Sequence, residues 1–243
     1  MNAIAGASAL ALVGVLVFNT LYRGPGTEPV FARATPETGA TPLSDAQELA
    51  FAEASTSSTP LGDAILDQFA SRYTALAQSG VSATSAAQIA ADIVPTMPQK
   101  EFTDADIPAD ADTSLQRVLQ YRNDLRIALE PLLSDTTPEL EIYARWIDTG
   151  DAQYLARLAA IAGNYDAAIT AAARVRTPRD AVHYQVGILN AMAHFSAALH
   201  ALATNAHDPV ASVSLLRTYN MAEQQMFTAF NSLALYSAQK ATI

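Results

Sequence analysis

Histidine and the carboxylates are the main side chains of this chain that could hold a metal or act as a catalytic base, since cysteine is absent. Two metal ligands on one helix need a spacing of three or four residues. His183 and His194 are eleven residues apart, and His200 and His207 are seven apart. On a helix, His183 and His194 also point away from the apolar stripe that starts at Ile188. We therefore expect surface or interhelical packing for the histidines, rather than metal binding or catalysis.

Acidic residues cluster in one short segment, where Asp104, Asp106, Asp110 and Asp112 occur in the sequence TDADIPADAD. Carboxylates grouped in a loop can bind Ca²⁺. The segment lacks the turn glycine and the final bidentate acid of an EF-hand loop, however. We expect a solvated loop that caps the following helix, and calcium binding at Asp104–Asp112 is the alternative.

The sequence carries none of the common catalytic or nucleotide-binding motifs: it has no G-x-S-x-G, no P-loop and no G-x-G-x-x-G. Serine and histidine occur, but no pattern places them together. We therefore predict that the protein is not an enzyme, and we assign no catalytic residue, no cofactor and no metal ligand. An unrecognised hydrolase is the remaining alternative.

The charge distribution limits the partners. The 243 residues carry a net charge of −10, which argues against a nucleic-acid partner because binding to phosphates needs an excess of lysine and arginine. The excess acid lies within residues 34–112, where twelve acids face only Arg72 and Lys100. This segment is either a well-solvated surface or an acidic patch for a basic partner or for cations. A half-apolar composition excludes a fully disordered chain.

The first 23 residues predict a transmembrane anchor. No side chain between Asn2 and Tyr22 is charged, and a helix over residues 2–22 would be roughly 30 Å long, which matches the hydrocarbon core of a bilayer. Tyr22 and Arg23 suit the membrane–water interface. A cleaved signal peptide is the alternative, but the segment lacks the basic start that such a peptide needs. We therefore expect residues 1–23 to stay attached and residues 2–22 to contact the lipid bilayer.

Residues 24–42 form a Pro/Gly/Thr-rich tether, GPGTEPVFARATPETGATP. Four prolines and three glycines exclude a helix, and an extended chain of this length would reach up to about 60 Å from the bilayer. The two arginines at positions 23 and 33 favour a cytoplasmic location of the domain that follows the anchor, by the positive-inside rule. The tether and the scarcity of lysine favour the opposite side. We expect an extracytoplasmic domain.

The rest of the chain is predicted to be helical, because it is rich in alanine and its helix starts are well marked. A small helical segment covers residues 43–94, in which Thr59-Pro60 opens a helix that runs to Gly80. Residues 95–111 form the acidic loop, which contains three prolines. Residues 112–243 form a helical bundle.

Within the bundle, we predict helix starts at Asp112 or Thr113, Thr137-Pro138, Asp151, Thr177-Pro178 and Asp208-Pro209. The last two open the longest helices, which a short connection should pair antiparallel. Pro131 and Gly150 should end helices. The fold class is therefore all-α: an N-terminal transmembrane helix, a Pro-rich tether and an antiparallel helical bundle.

One predicted helix carries arginines at intervals of four or five residues. Arg117, Arg122 and Arg126 share it with Asp124 and Glu130. This spacing is typical of an exposed face whose charges pair along the helix.

Several short motifs carry a resemblance. Tyr73 to Gly80 reads YTALAQSG, Phe102 to Ile107 reads FTDADI, and a histidine-to-asparagine segment spans His183 to Asn190. Together with Asp208-Pro209-Val210 and Tyr219, this order resembles uncharacterised membrane-anchored helical envelope proteins of reduced-genome, host-associated bacteria. The resemblance spans residues 59–238 and implies a cell-envelope setting, without a defined activity or functional residues.

These observations predict a non-enzymatic, membrane-anchored protein. Its helical part would have a structural or assembly role in the cell envelope, as a surface, pilus- or secretion-associated subunit. We expect a protein partner or self-association. The alternative is a tethered module that binds a ligand or peptide in the cleft between its long helices.

Overall fold

The computed structural model describes residues 58–78 and 93–242, except for the side chains of residues 76 and 77. The predicted anchor and tether lie outside the described residues, as does most of the remaining chain before the acidic loop.

The described residues are mostly helical, which confirms the all-α prediction. Their six α-helices are α1 (Pro60–Gln78), α2 (Leu115–Ala128), α3 (Glu139–Thr149), α4 (Ala152–Ala172), α5 (Val182–Thr204) and α6 (Pro209–Thr242). Three short 3-10 turns cover Asp104–Asp106, Glu130–Leu133 and Arg179–Ala181. Two short parallel strands, β1 (Ala109–Asp110) and β2 (Thr177–Pro178), pair with each other.

Helix α5 lies at the centre of the bundle, and α4 and α6 pack against it. Helices α5 and α6 run antiparallel, because Tyr184 contacts Tyr236 while Phe195 contacts Tyr219. Of the helices described, the stretch Arg179–Thr204 is the one whose length and composition would allow it to cross a membrane. More than half of its most apolar window is buried inside the bundle, as in the core helix of a globular domain.

Gln185 links α5 to two neighbouring helices. Its side chain is fully buried, and it accepts a hydrogen bond of 2.6 Å from the Tyr121 hydroxyl of α2. It also donates one of 2.8 Å to the carbonyl of Ala172 at the end of α4. A buried amide must find such partners, because leaving its polar atoms unpaired costs about 1–3 kcal/mol for each group.

Three predictions about helix starts are wrong, those at Thr177, at Asp112 or Thr113, and at Thr137, and the first fails because Thr177 bonds to a distant part of the chain. Thr177 does not cap a helix. It lies in β2, where its amide donates to the carbonyl of Pro108, and α5 begins only at Val182. Helix α2 is capped by Ser114, whose hydroxyl accepts from the amide of Arg117.

Arg117 also departs from the prediction of an exposed arginine face. Its side chain is only 8% exposed, and its Nε lies 2.9 Å from the carboxylate of Asp110 in β1. It donates a second hydrogen bond to the backbone carbonyl of Arg176. Arg117 therefore fastens the two strands to α2. The exposed pair between Arg126 and Glu130 follows the prediction.

Several ends were predicted correctly from local sequence. Gly150 ends α3 with a φ of 67°, a left-handed conformation that glycine adopts without strain. Asp151 caps α4 through the amide of Gln153. The predicted start at Thr137, by contrast, is the third wrong one, because α3 starts at Glu139 without a side-chain cap. Helix α4 runs unbroken through Gly163.

The carboxylate of Asp208 caps two helices at once. Its Oδ1 accepts from the amides of Val210 and Ala211 at the start of α6, at 2.9 and 3.0 Å. Its Oδ2 accepts from the amide and the hydroxyl of Thr59 at the start of α1, at 2.7 and 2.8 Å. Burial disfavours this charge, but the hydrogen bonds outweigh burial and hold the pKa of Asp208 below its usual range. This shared cap anchors α1 to the turn between α5 and α6.

The shared cap explains the glycine at position 62. A Cβ added to Gly62 would lie 2.0 Å from Oδ2 of Asp208, far inside van der Waals contact. Helix α1 can approach the carboxylate this closely only without a side chain at that position.

We expect Gly62→Ala to lower the free energy of unfolding by about 1–3 kcal/mol, because the new methyl group must displace the Asp208 carboxylate. Gly163→Ala is the matched control, since nothing lies within 4 Å of its added Cβ and alanine favours the helix by up to about 1 kcal/mol. Urea unfolding followed by circular dichroism compares the two variants. Equal stability of both would contradict the proposed close approach.

Candidate functional site

A short stretch of the acidic loop crosses α5 and is fastened to it. We call residues 98–102 the strap. The side-chain amide of Asn190 accepts a hydrogen bond of 2.7 Å from the backbone amide of Phe102 and donates one of 3.0 Å to its carbonyl. This pairing imitates the two hydrogen bonds of neighbouring strands, and it holds Phe102, which is only 5% exposed, against the core.

A groove of about 560 Å³, the strap groove, lies between the strap, α4 and α5. We call its apolar lining residues the floor and its polar lining residues the rim. The floor consists of Pro98, Phe102, Ile169, Ala173, Ala193 and Ala197. The rim consists of Gln99, Lys100, Asp166, Thr170, Arg174, Ser196 and His200.

Serine, aspartate and histidine meet at one edge of the strap groove. Ser196 donates a hydrogen bond of 2.6 Å to Oδ1 of Asp166, and Nε2 of His200 lies 2.9 Å from Oδ2. In a nucleophilic triad the histidine stands between the serine and the acid, so that it can take the hydroxyl proton. Here the carboxylate stands in the middle, and Ser196 is only 2% exposed. The arrangement fixes α4 to α5 and does not activate the serine.

The rim of the strap groove carries two basic side chains. The ammonium group of Lys100 lies 4.3 Å from the ring centroid of Phe102, a cation–π contact. Arg174 follows the end of α4, where a cation is favoured by the helix dipole. Both side chains are exposed, and neither forms an ion pair with another described residue.

A second groove of about 600 Å³, the interhelical groove, lies between α5 and α6. Its polar side chains are amides, a hydroxyl and the imidazole of His194, whose Nδ1 lies 2.9 Å from Oε1 of Gln225. The lining residues are Gln99, Gly187, Asn190, Ala191, His194, Met221, Gln224, Gln225, Thr228 and Ala229. Amides and hydroxyls of this kind can donate and accept hydrogen bonds to an uncharged ligand.

A buried cluster of two carboxyl groups and two tyrosines lies inside the bundle. Glu139 at the start of α3 is only 4% exposed, and its two oxygens each lie 3.4 Å from a tyrosine hydroxyl, those of Tyr165 and Tyr219. The ring of Phe195 lies 4.9 Å from both tyrosine rings. Glu223, one turn after Tyr219 on α6, is half-buried.

Burial sets the protonation of this cluster. It raises the pKa of Glu139 above its usual range, although the two tyrosine hydroxyls work against that shift. Burial, together with the charge of Glu139, raises the pKa of Glu223 to about 7. The two carboxyl groups repel each other when both are charged, so they do not both ionise cheaply. Neither groove is lined by these residues, so the cluster is an internal polar network.

The acidic segment Asp104–Asp112 uses its carboxylates locally. Asp106 accepts hydrogen bonds from the amide and the hydroxyl of Thr103, and Asp110 pairs with Arg117 and Arg176. Asp112 accepts from the amide of Ser114. Within residues 58–78 and 93–242, no group of three or more histidines or acids is arranged to hold a metal. The calcium alternative therefore has no set of ligands in the described chain.

The structure disperses most of the residues that sequence reasoning considered for chemistry. His183 and His207 are exposed, whereas His194 and His200 line different grooves. Sequence reasoning missed Asn190 and the carboxyl cluster. A polar residue inside an apolar helix was the available signal for Asn190. The sequence offered no signal for the carboxyl cluster, because Glu139 and Glu223 are separated by 84 positions.

Comparison with known protein families, with curated protein sequences and with solved structures gives no match for this chain.

The carboxyl cluster predicts that stability falls as the pH rises from about 5 to about 8. Between its ordinary pKa of 4.5 and about 7, Glu223 keeps its proton in the folded state and loses it in the unfolded state. The folded state then binds more protons, so raising the pH favours unfolding. Because half of the side chain meets solvent, we expect a loss on the order of 1–2 kcal/mol.

Urea unfolding at several pH values measures this loss. Glu223→Gln removes the titrating group, so the variant should lose less stability over the same range and exceed the wild type at pH 8. Glu101→Gln, at an exposed position, is the control and should keep the wild-type profile. An unchanged profile in Glu223→Gln would contradict the assignment.

Proposed function

We propose that this chain is a membrane-anchored, extracytoplasmic helical protein with a non-enzymatic, assembly role in the cell envelope. The anchor is residues 2–22, the tether is residues 24–42, and the helical bundle is the part that binds other proteins. The observation that carries the proposal is the strap groove, whose walls are held by hydrogen bonds before any partner arrives.

The chemistry of the groove supports binding rather than catalysis. The hydroxyl of Ser196 is bonded to Asp166 and buried, so it offers no nucleophile to a bound molecule. An apolar floor with a polar rim is the usual composition of a binding site, in which burial supplies affinity and the rim supplies specificity.

The anchor supports a location at the membrane. Residues 2–22 are uncharged and long enough to span a bilayer, and they precede a proline-rich segment that suits a spacer. The apolar helix α5 offers no competing span, since the bundle itself covers most of its surface.

We expect the full chain to remain in the membrane fraction of native cells after a high-salt wash and to be released by detergent. Deleting residues 2–22 should move the protein to the soluble fraction, whereas deleting residues 24–42 should leave it in the membrane. Recovery of the intact chain in the soluble fraction would contradict anchoring.

The side of the membrane is tested with a protease and an antibody against the bundle. We expect cleavage in intact cells or after opening of the outer layer alone. Protection that lasts until the inner membrane is broken would place the bundle in the cytoplasm, as Arg23 and Arg33 favour by the positive-inside rule.

The alternative function is a tethered module that binds a small ligand or peptide. The interhelical groove favours it, because this groove lies between the two longest helices and is lined by amide and hydroxyl groups. Thermal shift of the full chain against a ligand panel distinguishes the two, since a ligand that binds the folded state raises the melting temperature.

A further inference from the structure

The strap groove carries two positive charges that form no ion pair with the described residues. Lys100 and Arg174 project from two different elements, the strap and the end of α4, and both line the same groove. Neither has an ion-pair partner among the described residues, although the chain has an excess of ten acidic charges. Most other basic side chains of the described part are paired: Arg117, Arg126, Arg145, Arg157, Arg176 and Lys240.

Asp166 is the acid among the residues that line the groove, and it already has partners, as does Asp106; Glu101, which follows Lys100, does not line the groove. Both oxygens of Asp166 are engaged, one by Ser196 and the other by His200. Asp106 interacts electrostatically with Lys100, but its carboxylate already accepts hydrogen bonds from the amide and the hydroxyl of Thr103. The two cations are therefore available to an anion that enters the groove.

Contacts of Phe102 restrain Lys100 before a ligand binds. Asn190 holds the backbone of Phe102 with two hydrogen bonds, and the ring of Phe102 holds the ammonium group by a cation–π contact. Because the strap is fixed before binding, a ligand loses less free energy in ordering the site.

We propose that the strap groove binds an acidic peptide segment of another protein. A carboxylate of the segment contacts Lys100 and Arg174. An apolar side chain beside that carboxylate lies on the floor formed by Phe102, Ile169 and Ala173. The inference rests on the proposed function for its setting at the cell envelope, and it names the chemistry of the partner.

Charge complementarity and the apolar floor together favour this occupant. A free phosphate would use the cations but leave the floor exposed to water. A lipid headgroup would require the groove to touch the bilayer, whereas the proposed tether would let the bundle reach partners up to about 60 Å away. A protein segment with alternating acidic and apolar side chains satisfies both parts of the groove.

The test uses the purified full chain in a neutral detergent and a short fluorescein-labelled peptide of alternating glutamate and leucine. We expect saturable binding by fluorescence anisotropy that weakens as salt is added, because salt screens exposed charges. Lys100→Gln and Arg174→Gln should each weaken binding about tenfold, as expected for loss of one charge-assisted contact. Arg179→Gln is the matched control: Arg179 is exposed and unpaired in the described structure and lines neither groove, so its loss should leave the affinity unchanged.

Several results would overturn the proposal. The first is that no binding is detected at millimolar peptide. The second is that a glutamine–leucine peptide binds as tightly as the glutamate–leucine peptide. The third is that Arg179→Gln weakens binding as much as Lys100→Gln and Arg174→Gln do. Displacement of the peptide by inorganic phosphate or by phosphatidylglycerol vesicles, but not by unlabelled peptide, would assign the cations to a phosphate group instead. Binding only after deletion of residues 34–57 would show that the chain's own acidic segment occupies the groove.

The two proposals fail separately. Recovery of the chain in the soluble fraction would refute the proposed membrane anchor, and it would not affect peptide binding in detergent. Absence of peptide binding would refute the proposed peptide site in the strap groove, and the chain would still be recovered in the membrane fraction.

Discussion

Burial of helix α5 is the constraint on which the rest of this structure depends. The helix is apolar over most of its surface, so its neighbours must cover a large part of it. Each polar side chain that it carries into this environment needs a partner, because an unpaired buried polar group is costly. Gln185 forms hydrogen bonds with α2 and with the end of α4. Asn190 forms them with the strap, and Ser196 forms one with α4. The polar positions of α5 thus determine where its neighbours lie.

The same bonds shape the strap groove. Asn190 fixes one wall and Ser196 fixes the opposite one, so the space between them remains open instead of collapsing. The two residues lie six positions apart on α5, about 9 Å along the helix axis at 1.5 Å per residue, so the strap and α4 are attached to α5 at separate points. The proposed binding site is therefore a consequence of how the core satisfies its polar groups.

Local features were predictable from the sequence, and long-range ones were not. The caps at Asp151 and Asp208 and the end at Gly150 involve bonds within a few residues, so their residue types alone identify them. The second role of Asp208 at Thr59 joins positions 149 residues apart, and no local pattern signals it. The predicted helix start at Thr177 is wrong for the same reason. The amide of Thr177 bonds to the distant carbonyl of Pro108, although Thr-Pro normally indicates a helix start. The site residues of the strap groove come from three separate segments, which only the packing around α5 brings together.

Amide hydrogen exchange at Phe102 tests the central claim most directly, because its amide donates to the side chain of Asn190. In the full chain we expect this amide to be protected, and we expect Asn190→Ala to remove its protection while the amides of α5 and α6 keep theirs. Exchange of the Phe102 amide at the rate of an unstructured chain in the wild type would contradict the account, since the strap would then not be fixed to α5.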